Sequence, residues 1–213
     1  SRIIGRRFTL AHVRSGSKVF EVATFRGSPE QQETADDDSG FVVRANTYGT
    51  AEEDARSRDF TVNGLFYDPV ADRIHDYVGG RADLERGVLV TIGDAEQRLR
   101  EDPVRLLRAV KFAARIGLTL DDAIVAIAPE IAPLINDCPT ARVTEEIFRI
   151  LESGQAAEAV RLMAALQILP TVLPELADHL DDPTRREAWM AWMAQGDRLA
   201  LARGCALGPM IVG

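Results

Sequence analysis

The chain has 213 residues, 46% of them hydrophobic and 27% charged, a composition that excludes global disorder and gives room for one sizeable core or two small ones. No run of about eighteen apolar residues occurs, and Ser1 to Arg7 contain charged residues with no apolar segment behind them, so a membrane span and a secretory leader are not expected and the reading is cytoplasmic. The formal net charge of −8 argues against a protein that coats nucleic acid with a basic surface, but residues 1–30 carry 6 basic and 2 acidic side chains while 121–213 carry 7 and 14, which puts phosphate chemistry in the earlier part of the chain.

In chain order, Phe8–Val13 and Val19–Phe25 are rich in β-branched and aromatic residues and are split by Arg14 to Lys18, which predicts a hairpin. Residues 27–40 are polar, with the acidic run Asp36 to Asp38, and are expected to form a solvated loop. Short β runs come next at Phe41–Arg44, Thr61–Tyr67 and Arg73–Val78, the last two separated by Asp68 to Asp72 and closed by Gly79 and Gly80 as a second hairpin. After Gly93 the periodicity becomes helical. Asp102 before Pro103 reads as an N-cap with proline at the first helical position, Leu106, Leu107, Val110, Ala113 and Ala114 recur at helical spacing, and Gly117 is the expected stop. Further helices fit Asp121–Ala128, Arg142–Glu152 and Ala156–Leu166, and Pro170, Pro174 and Pro183 punctuate the chain beyond them. Residues 199–213 show no clear periodicity. Cys138 and Cys205 have no zinc-like spacing to His12, His75 and His179, so neither a structural zinc nor a disulfide framework is expected. Strands first and helices afterwards predict an α+β fold, a partial mixed-sheet head and then an all-helical domain.

Three places carry candidate chemistry. Glu21 lies in an otherwise apolar strand, sharing a face with Val19, Ala23 and Phe25; either that face is open to water, or the carboxylate serves as a metal ligand or general base. Residues 52–63 pack acids, arginines and an amide ahead of a strand, where Arg58 can hold a phosphate, Asp59 can accept from a ribose hydroxyl or act beside a metal, and Asn63 can bond sugar or base. Asp102, Arg105 and Arg108 recur every three residues at a helix start, so they line one side of it. A carboxylate beside a guanidinium can read the edge of a base, and a second arginine one turn on can hold a triphosphate.

Together these segments resemble the class II nucleotidyltransferases, the bacterial poly(A) polymerases and CCA-adding tRNA nucleotidyltransferases, from about residue 3 to about residue 176. The resemblance rests on Gly5 to Val13 with Glu21 to Arg26, on Glu52 to Asp54 with Arg58 to Asn63, on Glu101 to Arg115, and on Ala141 to Glu146, which is similar to the family's neck-helix signature. It implies a catalytic role for Glu21 and Asp59, with Glu21 as a metal ligand. It further implies nucleotide contacts for Arg58 and Asn63, and base and triphosphate recognition by Asp102, Arg105 and Arg108. The implied cofactor is Mg²⁺, the substrate ATP and the partner RNA: an RNA 3′-hydroxyl attacks the α-phosphate, two ions clamp the entering and leaving oxygens, and pyrophosphate departs.

Arg44 to Thr50 ahead of Glu52 is closer to the poly(A) polymerases. The alternatives are a CCA-adding enzyme that takes CTP and ATP to tRNA, and a non-catalytic nucleotide- or RNA-binding module. The resemblance divides the chain into a head at 1–93, a nucleotide-recognition and neck region at 94–176, and the start of a body at 177–213. Ser57 stands where relatives have the first arginine of an Arg-Arg-Asp triplet, and Gly64 where Ser or Ala is usual. The family's Gly-Gly phosphate loop and aspartate pair fall ahead of the first hairpin and are not in this sequence, so the chain alone is expected to be inactive.

Overall fold

The computed structural model describes residues 2–4, 10–27, 34–36, 42–44 and 48–202. Phe8 and Thr9 of the expected hairpin, residues 28–33 and 37–40 of the expected loop, Phe41, residues 45–47, Cys205 and the rest of 203–213 lie outside the described residues. The chain divides into two compact units, one running to Gly80 and the other beginning at Arg81.

In the first unit, β1 (Arg2–Ile4), β2 (Leu10–Ser15) and β3 (Lys18–Ala23) form an antiparallel sheet in that order. The β2–β3 turn at Gly16 produces the expected hairpin, with Ser15 opposite Lys18 and His12 opposite Glu21. β4 (Thr34–Asp36), within residues expected to be a polar loop, pairs antiparallel with β5 (Val42–Arg44), which falls in the expected β run Phe41–Arg44.

Residues 51–57, to which the sequence reading assigns no element, form helix α1 (Ala51–Ser57). The reason is local: Thr50 accepts at Oγ1 from the Glu53 backbone N–H while the Glu53 carboxylate accepts from the Thr50 backbone N–H, a capping box that satisfies two otherwise orphaned donors. Thr61–Gly64 also departs from the strand reading and forms a 3₁₀ turn, from which β6 (Leu65–Asp68) leaves to pair with β7 (Arg73–Asp76) in the expected second hairpin. Ala55 of α1, Phe60 before this turn and Phe66 of β6 are buried apolar side chains of this unit. At the end of the unit a Cβ on Gly80 would lie 2.1 Å from the Thr61 carbonyl oxygen, so the close approach of these two backbones admits only glycine there.

The second unit is helical. Helix α2 (Gly80–Arg86), not expected from the sequence, leads through β8 (Val88–Leu89) to α3 (Ala95–Glu101), capped by Asp94 accepting from the Gln97 N–H at 2.8 Å. Then come α4 (Val104–Ile116), β9 (Thr119–Leu120), parallel to β8, and α5 (Asp122–Ile131). Gly117 stops α4 as expected, at φ 70° with its N–H bonded to the Ala113 carbonyl, a left-handed cap that a Cβ disfavours. After a 3₁₀ segment at Ala132–Asp137 come α6 (Thr140–Leu151), α7 (Ala156–Ala165), α8 (Leu169–Val172), α9 (Pro174–Leu180) and α10 (Pro183–Ala202).

Helix α4 is the axis of the unit, packed by α3, α6 and α7. Its stripe of Leu106, Leu107, Val110 and Ala113 is buried, as are Leu99 of α3, Ile150 of α6 and Met163 of α7, helices that pack on it; each fully buried leucine or isoleucine contributes roughly 1.5–3 kcal/mol relative to exposure.

Helix α7 has no cap from its own flanking side chain; Asp197 of α10 supplies it, accepting from the Ala156 and Ala157 N–H groups at 3.0 Å each. Asp197→Ala therefore removes both a helix cap and a tie between α7 and α10. Urea unfolding should show a loss of about 1–2 kcal/mol, and a change under about 0.3 kcal/mol would mean that water replaces the carboxylate at no cost.

Candidate functional site

In the first unit, α1 and the 3₁₀ turn after it bring Arg58, Asp59 and Asn63 together. Asp54 is buried and accepts from Arg58 Nη2 at 2.8 Å, from the Arg26 N–H at 3.4 Å, and lies 3.9 Å from Arg26 Nε. The Arg58 guanidinium is stacked over the Phe66 ring at 5.1 Å from its centroid, and Phe25 meets the same ring edge-on at 5.3 Å. A planar cation sandwiched between a carboxylate and an aromatic face loses little entropy on binding a second anion, because its orientation is already set. Asp59 is buried; its Oδ1 accepts from the Phe60 N–H at 3.0 Å and from Asn63 Nδ2 at 2.9 Å, so the same carboxylate shapes the turn and orients the Asn63 amide. Ser57, at the position of the family's first arginine, donates its hydroxyl to the Asp54 carbonyl at 2.8 Å and reinforces the end of α1.

Glu21 joins neither Arg58 nor Asp59. It lies on β3, exposed along its whole length, and its carboxylate is 3.2 Å from His12 Nε2 on the neighbouring strand, an ion pair whenever the imidazole is protonated. The strand face that carries it is open to solvent, with Val19 47% exposed and Phe25 43% exposed.

In the second unit, Asp102 falls at the α3–α4 junction, outside α4, and Arg105 and Arg108 fall along the first turns of α4. Asp102 does not cap α4 with its side chain. It closes α3, its backbone carbonyl accepts from the Arg105 N–H at 3.0 Å, and its carboxylate is taken at Oδ2 by Arg142 Nη2 of α6 at 2.7 Å. Its other oxygen, Oδ1, is buried with no hydrogen-bond partner among the described residues. Arg105 is oriented from α3: Nη1 donates to the Arg98 carbonyl at 2.6 Å and to Glu101 Oε2 at 3.2 Å. Burial works to raise the Glu101 carboxyl, but hydrogen bonds from Arg105 and Gln97 and the charges of Arg98 and Arg105 outweigh it, holding the group below the ordinary carboxylate value. The hydrogen bond with Asp102 raises the Arg142 guanidinium above its ordinary value.

Arg108 reaches Glu146 of α6 at 3.5 Å and is stacked over Phe112 at 5.7 Å. Glu146 is buried and also accepts from Lys111, itself buried, at 2.5 Å, with Arg149 at 3.5 Å. Burial pushes the Lys111 ammonium below its ordinary value, and the bond to Glu146 opposes that shift without cancelling it.

Sequence reasoning does not single out Asp54, Arg142, Lys111 and Glu146 as side chains of a site. Signals for two of them exist. Lys111 interrupts the apolar stripe of α4, and a charge on a buried stripe needs a partner; Asp54 stands just after the capping box that announces α1. Among the described residues no group of three or more His, Cys, Asp or Glu gathers in a way that would hold a metal ion, and no helix is long and apolar enough to cross a membrane.

Residues 1–90 match the family described as the poly A polymerase head domain, and residues 117–180 match the probable RNA and SrmB-binding site of polymerase A. Poly(A) polymerase I of Escherichia coli is 41% identical over 194 residues, covering 87% of this chain and 42% of that protein. The CCA-adding enzyme of Geobacillus thermodenitrificans is 35% identical over 197 residues, covering 91% and 46%. Among solved structures, the Bacillus stearothermophilus CCA-adding enzyme in complex with CTP superposes with a TM-score of 0.64 at 30% identity, over 78% of this chain and 38% of that one. The chain thus spans less than half the length of these two curated relatives.

Proposed function

The chain belongs to the family of bacterial poly(A) polymerases and CCA-adding enzymes, and from that premise we propose that it serves a template-independent RNA 3′-end adenylyltransferase, transferring AMP from ATP to an RNA 3′-hydroxyl with release of pyrophosphate. The observation that carries the choice of product is the 41% identity to poly(A) polymerase I, against 35% to the CCA-adding enzyme. The reading is cytoplasmic, and it assigns residues 1–93 to the head, 94–176 to nucleotide recognition and neck, and 177–213 to the start of the body.

The proposed roles rest on the chemistry of each group. Arg58, held between Asp54 and Phe66, supplies a fixed guanidinium for a phosphate, and Asn63, turned by Asp59, supplies an amide for the sugar or base. Asp102 and Arg105 read the base edge: adenine presents an amine donor beside a ring-nitrogen acceptor, and a carboxylate beside a guanidinium complements that pair. Arg108 is left for the triphosphate. Mg²⁺ is the cofactor of this reading, with Glu21 among its ligands, although the described residues do not by themselves assemble a metal site.

A second reading, CCA addition to tRNA, is favoured by the likeness to the CTP-bound enzyme, because cytosine presents the same amine-and-acceptor pair to Asp102 and Arg105. Incorporation of ATP or CTP, offered separately with Mg²⁺ to an unstructured RNA and to a tRNA lacking its CCA end, separates the two. Long adenylate tails on the unstructured RNA are expected. Addition confined to tRNA and ending with the CCA sequence would replace the first reading by the second.

A further inference from the structure

Within the neck-helix signature, Ala141 to Glu146, Arg142 reaches back to a residue proposed to read the base. It joins α6 to Asp102 across 40 positions of sequence, with Nη2 at 2.7 Å from Oδ2. Asp102 therefore has one oxygen occupied from behind and the other, Oδ1, buried and still lacking a donor among the described residues. A buried acceptor without a donor costs about 1–3 kcal/mol, a cost recovered when a donor arrives. The same junction fixes Arg105 through the Arg98 carbonyl and Glu101. The two groups that would read a base are thus pinned from opposite sides: Arg105 by α3, Asp102 by α6.

We infer that Arg142 is a positioning residue for base selection: by holding Asp102 Oδ2 it keeps Oδ1 turned to accept the exocyclic amine of the incoming base. This rests on the proposal that Asp102 reads the base. The selectivity comes from charge and donor direction. Adenine N6 and cytosine N4 donate, whereas guanine O6 and uracil O4 are acceptors and would face a carboxylate oxygen across an unfavourable contact. Without Arg142 the Asp102 side chain is free to rotate about its χ angles or to turn to Arg105, and the penalty against guanine and uracil fades. Arg142 touches no nucleotide in this scheme.

The test is steady-state incorporation kinetics of the full-length protein with ATP and GTP, for wild type, Arg142→Ala, Arg142→Gln, Arg142→Lys and Asp102→Ala. Arg142 is half exposed and its pair is of the kind that contributes little to stability, so folded variants are expected, with Arg142→Gln as the second variant should alanine not fold. For Arg142→Ala the KM for ATP should rise about tenfold with a smaller fall in kcat, and the preference for ATP over GTP in kcat/KM should fall about tenfold. Arg142→Lys should regain part of that preference, since an ammonium can still hold one oxygen.

Preserved preference in Arg142→Ala, or an equal loss of kcat with both nucleotides, would reduce Arg142 to a structural tie and overturn the inference while Asp102→Ala still loses selectivity. A wild-type protein without ATP preference, or an Asp102→Ala variant that keeps it, would instead overturn the reading of Asp102, and this inference with it.

Discussion

Glu21→Gln is expected to lower nucleotide transfer by the full-length protein by about 10²- to 10³-fold, the range seen when one preorganised electrostatic partner of a transition state is removed. The structure makes this substitution unusually easy to interpret. Glu21 is exposed on β3 and its partner is His12 across the strand pair, an exposed ion pair of a kind worth about 0–1 kcal/mol. Thermal unfolding should therefore shift little, so a large loss of rate reports chemistry rather than folding. A near-normal rate would take Glu21 out of the mechanism and leave the water-open strand face as its whole explanation.

The second large effect concerns the fold of the α4–α6 contact. Glu146→Gln should cost about 3–5 kcal/mol of unfolding free energy, because it removes the countercharge of a largely buried lysine. Lys111 and Glu146 are both buried, whereas Arg108 and Arg149, which share the carboxylate, are partly exposed and can be rehydrated. Replacing both members, Lys111→Met with Glu146→Leu, should recover most of the loss, since a buried pair contributes little beyond what apolar packing supplies.

The pH dependence of the single variant gives an independent check. Burial depresses Lys111 in the folded protein, so the unfolded chain binds that proton more tightly and stability rises as pH climbs through the depressed value toward the ordinary value of 10.5. Loss of Glu146 removes the interaction that opposes the depression, so the deficit of Glu146→Gln should be greatest near neutral pH and shrink at alkaline pH, where Lys111 is neutral in both states. A deficit that does not change with pH would point to lost packing instead of the stranded charge.

Much of the architecture is legible along the chain because its signals are local. The alternation and turn residues around Gly16 give the first hairpin, the spacing of Leu106, Leu107, Val110 and Ala113 gives α4, and Gly117 gives its end. The residues proposed to handle nucleotide are legible for the same reason: Arg58, Asp59 and Asn63 lie within six positions of one another, and Asp102, Arg105 and Arg108 within seven. Helix α1 escapes a reading by periodicity because its seven residues are mostly polar and show no apolar stripe, so only its capping box announces it. Thr61 to Gly64 read as strand because β-branched residues suit both a strand and a turn packed under a helix.

Tertiary structure decided which charges meet. Periodicity places Lys111 on the buried side of α4 but cannot say that Glu146, 35 positions later, will lie opposite it, nor that Arg142 will reach Asp102. Those pairings depend on how α6 is seated against α4, which is set by the packing of Ile150 and the leucines of α4 in the core. Side-chain pattern along a helix fixes which face is buried; only the close packing of one helix on another fixes which residue it faces.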